Sequence, residues 1–207
     1  MKLILLGYSG HGFVLAEAAI ELGYKIIGYL EKKEKKNNPF NLSYLGYEED
    51  FNLLNKYIKD EIGFIIGIGD NKIRTKIFNR IKSLGGLVET IIHPKTFVSN
   101  YSNIGNGVFV SKNSVINPLS EIKNNCIINT SSTIEHECLI SKSVHIAPGV
   151  VVLGNVQIGK NSFIGSNSTI KEGIKIGNNV LIGAGSVVLK DVPDNKLCYG
   201  NPAKIIK

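Results

Sequence analysis

A histidine and a glutamate lie side by side within the segment NTSSTIEHECLI, residues 129–140. Imidazole accepts and releases a proton near neutral pH, and an adjacent carboxylate can hydrogen-bond one ring nitrogen and so fix the tautomer. His136 and Glu137 therefore have the residue types of a general base and its orienting partner. Ile134 and Ile140 flank the pair at an interval of six residues, and this interval indicates the structure that positions it.

The interval of six runs through the C-terminal half of the chain. From Val98 to Val188 every sixth residue is Ile or Val, which gives sixteen such positions without a break. This period is typical of a parallel β-helix, in which each hexad forms one short strand and one turn. Three hexads complete a coil of about 18 residues, and coils stack at the usual strand separation of ~4.8 Å. The unbroken register predicts a solenoid with no inserted loop.

Gly and Asn recur at the turns between the predicted strands. We expect them to supply backbone conformations that other residues adopt only with strain. The positions concerned are Gly105, Gly159, Gly165, Gly177, Gly183, Asn178 and Asn179.

Cys138 lies two residues from His136 and raises the question whether a thiol acts as a nucleophile. However, it stands four residues after Ile134, at the small, inward-facing position of its hexad, as Cys126 does in an earlier hexad. A thiol buried in apolar surroundings has a raised pKa and reacts poorly. We therefore predict a structural role for both cysteines.

The N-terminal part of the chain has no six-residue period and instead alternates apolar strands with helical patterns. The predicted strands are 2–7, 25–30 and 63–69, and the predicted helices are 13–23, 48–58 and 71–85. This alternation favours a small parallel sheet with crossover helices, half of a Rossmann fold. The sequence thus predicts an α/β Rossmann-like domain over residues 1–92 and an all-β parallel β-helix with a C-terminal tail over residues 93–207.

A glycine-rich loop, GYSGHG at residues 7–12, follows the first predicted strand and opens a helix. Backbone N–H groups and the helix dipole at such a position suit a phosphate group. The spacing differs from the G-x-G-x-x-G of dinucleotide-binding proteins, so the loop alone does not identify its ligand.

Composition limits the class of protein further. The formal net charge is +7, but the lysines are scattered and the chain has no Trp, which argues against nucleic acid and leaves phosphate-bearing cosubstrates as partners. No run of about 18 apolar residues is present that would span a membrane. Three cysteines are too few for a disulfide framework, which is consistent with a cytoplasmic protein.

Six motifs give the chain a resemblance to a known enzyme family. They are GYSGHG, GIGDNKIR at 67–74, NTSSTIEHE at 129–137, HIAPG at 145–149, GNVQIG at 154–159 and GNPAKII at 200–206. With its hexads, the chain resembles the bacterial hexapeptide-repeat acyltransferases, whose β-helix is left-handed. It is most similar to the sialic acid O-acetyltransferase (NeuD) family, which includes the UDP-4-amino-sugar N-acetyltransferases that make bacillosamine precursors.

The resemblance implies acetyl transfer from acetyl-CoA with His136 as the general base and no metal ion. Because Cys138 is predicted to be structural, we expect direct transfer within a ternary complex and no acyl-cysteine. Glu137 would orient the imidazole, and Gly154, one coil further on, would offer its backbone N–H to the oxyanion. Asn129 would contact the acceptor sugar, although a turn-forming Asn explains it equally well. The resemblance also implies a homotrimer whose grooves between neighbouring β-helices bind acetyl-CoA. The residues implied there are His145, Ser166 and Ala184.

The resemblance implies a UDP-sugar at the N-terminal domain. The residues that would contact the diphosphate and sugar, or line the same cleft, are Ser9, Gly10, His11 and Gly69, with Asn71 and Arg74 nearby. Enzymes of this kind carry paired aspartates after the second strand, near the uracil and ribose, whereas this chain has Glu31 and Lys32. Glutamate can accept a hydrogen bond from a ribose hydroxyl and lysine cannot, so the identity of the base stays open.

The leading hypothesis is N-acetylation of a UDP-linked 4-amino sugar, which the intact His11 and the HEC tripeptide favour. The runner-up is O-acetylation of sialic acid or a related sugar. A γ-type carbonic anhydrase uses the same β-helix but needs three converging histidines, and the chain has four in all: His11, His93, His136 and His145. A non-catalytic scaffold is the last alternative.

Overall fold

The computed structural model describes residues 1–206. The chain divides into two compact units, Met1–Pro94 and the remainder from Lys95, close to the boundary expected at residue 92. The first unit is built on a parallel sheet of β1 (Lys2–Leu6), β2 (Lys25–Leu30), β3 (Tyr44–Gly46) and β4 (Gly63–Ile66), in the order β3-β2-β1-β4. Its other elements are α1 (Gly10–Glu21), α2 (Phe51–Lys59), α3 (Asn71–Ser83) and β5 (Ile91–Ile92).

The two central strands form the core of this unit. The apolar residues of β1 from Leu3 to Leu6 are completely buried, and every residue of β4 is buried. Such continuous apolar strands are typical of a parallel sheet that is covered on both faces. Because all four strands are parallel, their carboxyl ends meet at one edge of the sheet, where α/β proteins bind their ligands.

The helix predicted at 48–58 begins three residues later than expected, and the strand before it, β3, was not predicted. Asp50 is the N-cap residue of α2, because its carboxylate accepts hydrogen bonds from the N–H groups of Asn52 and Leu53 at 3.0 and 3.2 Å. Glu48 and Glu49 therefore lie in the connection between β3 and α2, at the ligand-binding edge of the sheet.

The second unit is a hexapeptide-repeat β-helix, as predicted. Sixteen two-residue strands each end at an aliphatic hexad position. They are β6 (Phe97–Val98), β7 (Asn103–Ile104), β8 (Phe109–Val110), β9 (Val115–Ile116), β10 (Glu121–Ile122), β11 (Ile127–Ile128), β12 (Thr133–Ile134), β13 (Leu139–Ile140), β14 (His145–Ile146), β15 (Val151–Val152), β16 (Gln157–Ile158), β17 (Phe163–Ile164), β18 (Thr169–Ile170), β19 (Lys175–Ile176), β20 (Leu181–Ile182) and β21 (Val187–Val188). The tail adds β22 (Leu197–Gly200) and β23 (Ala203–Ile205).

These strands form three walls. The two-residue strands pair in parallel with the strand one coil away, whereas β23 of the tail pairs antiparallel with β22. One wall runs β6-β9-β12-β15-β18-β21, the next β7-β10-β13-β16-β19, and the third contains β8-β11-β14-β17-β20-β22-β23. Ile128, for example, pairs with Ile146, 18 residues further along the chain. The inward serines bond across the coil, so that Ser120 Oγ donates to the carbonyl of Glu135 at 2.6 Å, and these buried hydroxyls are satisfied.

The turn glycines act differently from the prediction. A Cβ atom at Gly105, Gly159, Gly165, Gly177 or Gly183 would lie only 2.3–2.7 Å from an atom of another residue, and none of these glycines has a positive φ. Their absent side chain permits close stacking of the chain rather than a left-handed backbone. The left-handed positions lie two residues later, at Asn161, Asn167 and Asn179 among others. The prediction was therefore right for Asn179 and wrong for Asn178 and the five glycines.

Candidate active site

His136 and Glu137 lie at an outer corner of the β-helix, in the turn between β12 and β13. Their side chains are 59% and 57% exposed, and His136 Nδ1 lies 3.0 Å from Glu137 Oε2. In the tautomer that donates from Nδ1 to this carboxylate, Nε2 has a lone pair with which to accept a proton. Glu137 adopts a left-handed backbone with φ 58°, as the equivalent residues of most other turns of the β-helix do.

The absence of a side chain at Gly154, one coil beyond His136, leaves room for the imidazole. A Cβ atom on Gly154 would lie 2.5 Å from Cε1 and 2.6 Å from Nε2 of His136, so any side chain there would displace the ring. The imidazole thus lies directly against the Gly154 backbone. The proposed use of the Gly154 N–H as an oxyanion donor stays a prediction.

Asn129 and His145 meet at another corner of the β-helix. Asn129 Nδ2 lies 3.2 Å from His145 Nε2, and Asn129 Oδ1 accepts from the Thr130 N–H at 2.8 Å. His145 is buried, with its ring edge-on to Phe163 at a centroid distance of 4.9 Å. Sequence reasoning gave these two residues separate roles and missed their contact, because they are 16 residues apart rather than one full coil.

Ser166 and Ala184 lie at the same corner as Asn129, one coil apart. Ser166 follows β17 and Ala184 follows β20, both on the wall that contains β11. The Ser166 carbonyl accepts from the Gly185 N–H at 2.8 Å. In a single chain, the His136–Glu137 pair and the residues predicted to bind acetyl-CoA therefore lie at two different corners of the β-helix. The structure of one chain does not bring the two together.

Cys138 is buried beside the His136 turn. Its Sγ lies 3.2 Å from the carbonyl oxygen of Leu153, and burial raises the pKa of this thiol. A thiol in this environment is a poor nucleophile, which agrees with the structural role predicted from its place in the hexad.

The carboxyl edge of the sheet in the first unit contains a cavity of about 180 Å³. It brings together four of the residues predicted to bind the nucleotide sugar, while Gly10 and Lys32 do not line it. The lining residues are Gly7, Ser9, His11, Glu31, Glu48, Gly67, Ile68, Gly69 and Ile73. Glu48 is the functional candidate that sequence reasoning missed, because EED followed by an apolar pattern was interpreted as the first turn of a helix.

The glycine-rich loop leads from β1 into the amino end of α1, and its residues Gly7 and Ser9 line this cavity. Gly7 adopts φ 84°, and a Cβ on Gly12 would lie 2.1 Å from the Gly7 carbonyl oxygen, so both positions require glycine. Ser9 is the N-cap residue, but its side chain makes no capping hydrogen bond. The first N–H groups of a helix have no intrahelical acceptor, and that those of α1 bind a phosphate group stays a prediction.

His11 and Arg74 lie at this edge of the sheet. Burial and, to a smaller extent, the positive charge of Arg74 lower the pKa of His11 to about 4, so His11 is neutral at physiological pH. Arg74 is itself buried, with Nη1 donating to the carbonyls of Ile68 and Gly69 at 3.2 and 3.1 Å and Nη2 to Asn71 at 2.8 Å. Arg74 therefore holds the loop after β4 and lies near the cavity, as expected, without lining it.

Glu31 is fixed by the residues around it. Its Oε2 accepts from the Tyr8 N–H at 2.9 Å and lies 3.4 Å from Lys35 Nζ, while Oε1 accepts from the Lys32 N–H at 3.2 Å. The carboxylate thus ties the end of β2 to the glycine-rich loop, and Lys32 itself is exposed.

Within residues 1–206, no three His, Cys, Asp or Glu side chains are grouped so that they could hold a metal ion. None of the helices in that range is long and apolar enough to cross a membrane.

Known proteins match both units of this structure. Residues 2–81 match the PglD N-terminal domain, residues 137–172 the bacterial transferase hexapeptide (six repeats), and residues 155–190 the hexapeptide repeat of succinyl-transferase. The acetyltransferase domain of PglB from Neisseria gonorrhoeae, solved in complex with acetyl coenzyme A, is 34% identical, with 99% of this chain and 98% of that chain covered and a TM-score of 0.93.

Two other solved structures are also similar. PerB from Caulobacter crescentus, in complex with CoA and GDP-perosamine, is 28% identical over 100% of this chain and 98% of that chain, with a TM-score of 0.92. WeeI from Acinetobacter baumannii shares the fold at 21% identity, 100% coverage of both chains and a TM-score of 0.77.

The fold and the matched structures define an acyltransferase of the hexapeptide-repeat class. Both units, and not only the repeats, are shared over the full length of the PglB acetyltransferase domain. The chain belongs to the family of sugar acetyltransferases that combine a PglD-type N-terminal domain with hexapeptide repeats, and the resemblance found in its motifs is confirmed.

Proposed function

We propose that the protein transfers the acetyl group of acetyl-CoA to the amino group of a nucleotide-linked 4-amino-4-deoxy sugar, with UDP as the nucleotide. The observation that carries this proposal is the His136–Glu137 pair at 3.0 Å, exposed on a corner of the β-helix. Full-length similarity to PglB and PerB, whose structures contain acetyl-CoA or CoA with GDP-perosamine, supports it. Because acetyl-CoA and nucleotide sugars are made in the cytoplasm, we place the protein there.

In the proposed reaction the sugar amine attacks the thioester carbonyl carbon. His136 Nε2 takes the proton that the amine loses as the C–N bond forms, and the Glu137 carboxylate stabilises the resulting imidazolium. The tetrahedral intermediate places its negative charge on oxygen, next to the Gly154 N–H. The C–S bond then breaks, and the CoA thiolate leaves and takes the proton from the imidazolium. No acyl-enzyme forms.

The complete site is proposed to lie between copies of the chain. Within one chain the His136 corner and the corner with Asn129, His145, Ser166 and Ala184 are distinct. A cyclic homotrimer would place the first corner of each copy against the second corner of its neighbour and so create three equivalent sites. This arrangement explains why a base and an acetyl-CoA groove occupy different edges of one prism.

The test is release of free thiol from acetyl-CoA by the purified protein across a panel of acceptors. We expect turnover with a UDP- or GDP-linked 4-amino sugar, no turnover with free or CMP-linked sialic acid, and loss of turnover in His136→Ala. If sialic acid, free or CMP-linked, is the only acceptor that supports turnover, the function is sugar O-acetylation instead. The absence of turnover with every acceptor would contradict an acetyltransferase that acts on these sugars.

A further inference from the structure

Glu48 lies next to the position that the nucleoside of a bound nucleotide sugar would occupy. The sheet order β3-β2-β1-β4 places the glycine-rich loop after β1, Glu31 after β2 and Glu48 shortly after β3, all at the carboxyl edge. A nucleotide whose diphosphate binds at the amino end of α1 extends its nucleoside away from β1 along this edge. Glu31 and Glu48 line the same 180 Å³ cavity as Ser9 and His11, so both carboxylates are available to one ligand.

The two glutamates differ in their hydrogen bonds. Glu31 accepts hydrogen bonds from the N–H groups of Tyr8 and Lys32 and pairs with Lys35. In contrast, Glu48 Oε2 is buried and accepts a hydrogen bond from no residue in the range 1–206. A buried acceptor without a donor destabilises the protein by an amount comparable to a lost hydrogen bond. Glu48 is therefore the carboxylate whose acceptor capacity a ligand would use.

The charges around Glu48 also favour a hydrogen bond from a ligand to this carboxylate. Burial is the main cause that raises the pKa of Glu48, and the carboxylates of Glu31 and Glu49 raise it further, against the lowering effects of its own backbone N–H and of Lys35. The ionised form of Glu48 is thus poorly solvated in the absence of a ligand. A donor from the ligand would stabilise that form, because a charge-assisted hydrogen bond is stronger than one between neutral groups.

We propose that Glu48 accepts a hydrogen bond from the nucleoside of the substrate and so supplies the second carboxylate at a site where Lys32 cannot. This inference rests on the proposed function for the identity of the ligand as a nucleotide sugar. The donor is either a ribose hydroxyl or the imino N–H of the base, which uracil and guanine have and adenine lacks.

Calorimetric binding of UDP and of GDP to the full-length protein tests this assignment. We expect Glu48→Gln to weaken the binding of the nucleotide that wild type binds by roughly tenfold to a hundredfold, as for a lost hydrogen bond to a charged group, and Glu48→Ala to weaken it at least as much. The matched control is Glu49→Gln, because Glu49 pairs with Lys76 and does not line the cavity; it should bind like wild type. Glu48 variants that bind as tightly as wild type, or a wild type that binds neither nucleotide, would overturn the proposal.

Three further nucleotides identify the donor. If a ribose hydroxyl donates, 2′-deoxy-UDP or 3′-deoxy-UDP should bind wild type weakly and lose nothing more in Glu48→Gln. If the imino N–H of the base donates, ADP should bind wild type weakly and lose no further affinity in Glu48→Gln. A variant that weakens every nucleotide by the same factor would show that Glu48 acts through the fold, and would contradict direct recognition.

Steady-state kinetics separate this inference from the proposed function. Glu48→Gln should raise KM for the nucleotide sugar and leave kcat and the KM for acetyl-CoA unchanged. If wild type binds UDP or GDP through Glu48 but transfers no acetyl group, the proposed function fails and the assignment of Glu48 stands. If acetyl transfer proceeds and KM in Glu48→Gln equals that of wild type, the assignment of Glu48 fails alone.

Discussion

The two units of the chain each hold a candidate histidine, and these two histidines differ in environment. His136 of the β-helix is more than half exposed and is paired with Glu137, whereas His11 of the α/β unit is half-buried beside the cavity, and burial together with the positive charge of Arg74 lowers its pKa to about 4. An exposed imidazole next to a carboxylate can accept a proton at neutral pH, whereas an imidazole with a pKa near 4 stays neutral there and serves as a hydrogen-bonding group. This difference supports the proposed division of roles, in which His136 transfers the proton and the α/β unit binds the nucleotide sugar.

The two units also differ in how their residues are positioned. In the β-helix each side chain has a fixed place on a wall or a corner, so an unusual residue stands out against the repeat. In the α/β unit the site residues come from loops after four strands that share no period. The predictions below test this division, from the largest expected effect to the smallest.

Mixing of two inactive variants tests whether the two corners of the β-helix belong to one site. His136→Ala removes the base, and Ala184→Trp fills the corner proposed to bind acetyl-CoA. Each should be inactive alone. If trimers form at random from an equal mixture refolded together, about a quarter of the sites combine an intact His136 with an intact neighbouring groove, and activity should return to about that fraction. A mixture that remains inactive would contradict a site shared between copies.

Gly154→Ala tests the contact between the imidazole and the next coil. A Cβ would lie 2.5 Å from the ring, so we expect the ring to move and the rate of acetyl transfer to fall on the order of 10²-fold, as for a misplaced catalytic group. Overpacking should also lower the free energy of unfolding by about 1–3 kcal/mol.

The matched control for Gly154→Ala is the double variant with His136→Ala. Removal of the ring leaves room for the new methyl group, so the melting temperature should recover toward that of His136→Ala alone. If the double variant is as unstable as the sum of the single variants, the methyl group clashes with something other than the ring.

The pH dependence of stability tests the burial of His11. The unfolded imidazole binds a proton below its usual pKa of about 6.5, and the folded one does so only near 4. Stability is therefore complete above pH 6.5 and falls as the pH is lowered toward 4, by on the order of 3 kcal/mol. Urea unfolding of wild type and His11→Asn between pH 7 and pH 4.5 measures this; the variant should lose less stability. Parallel losses in both proteins would assign the effect to other groups.

Substitution of Leu119 tests how much the residue type at a left-handed turn of the β-helix contributes to the free energy of unfolding. Leu119 is 63% exposed and adopts φ 62°, whereas most equivalent turns have Asn or Gly. A left-handed backbone costs most residues about 1–2 kcal/mol, and Asn tolerates it better. We expect Leu119→Asn to raise the free energy of unfolding by about 1 kcal/mol. The converse change, Asn155→Leu at an equivalent turn with φ 55°, should lower it by a similar amount. A destabilised Leu119→Asn would show instead that the leucine makes stabilising contacts.

Much of the β-helix could be predicted because its period fixes the register. The positions of His136, Gly154 and Cys138 follow from counting in steps of six and eighteen. The close approach of the other turn glycines could not be predicted, because counting identifies the residue one coil away but not the distance between the two backbones. The contact between Asn129 and His145 was missed because it joins a turn to a strand of the next coil and does not follow the period.

In the α/β unit β1 and β4, whose apolar residues are all buried, could be recognised from their apolar runs. The strand β3 could not, because it has three residues and ends in Gly46. Without it, Glu48 was interpreted as helical and its place at the ligand-binding edge was not seen. Lys32, adjacent to Glu31 in sequence, does not line the cavity, which shows that adjacency in a loop is a poor guide to adjacency in a site.

The central claim is that the exposed His136 imidazole is the general base for acetyl transfer. The most direct test is kcat for His136→Ala with a nucleotide-linked 4-amino sugar, alongside calorimetric binding of that sugar and of acetyl-CoA to the same variant. A loss of about 10²–10⁴ in kcat, with the binding of both substrates retained, is the predicted result. A variant that binds both substrates and turns over within a few-fold of wild type would contradict the claim.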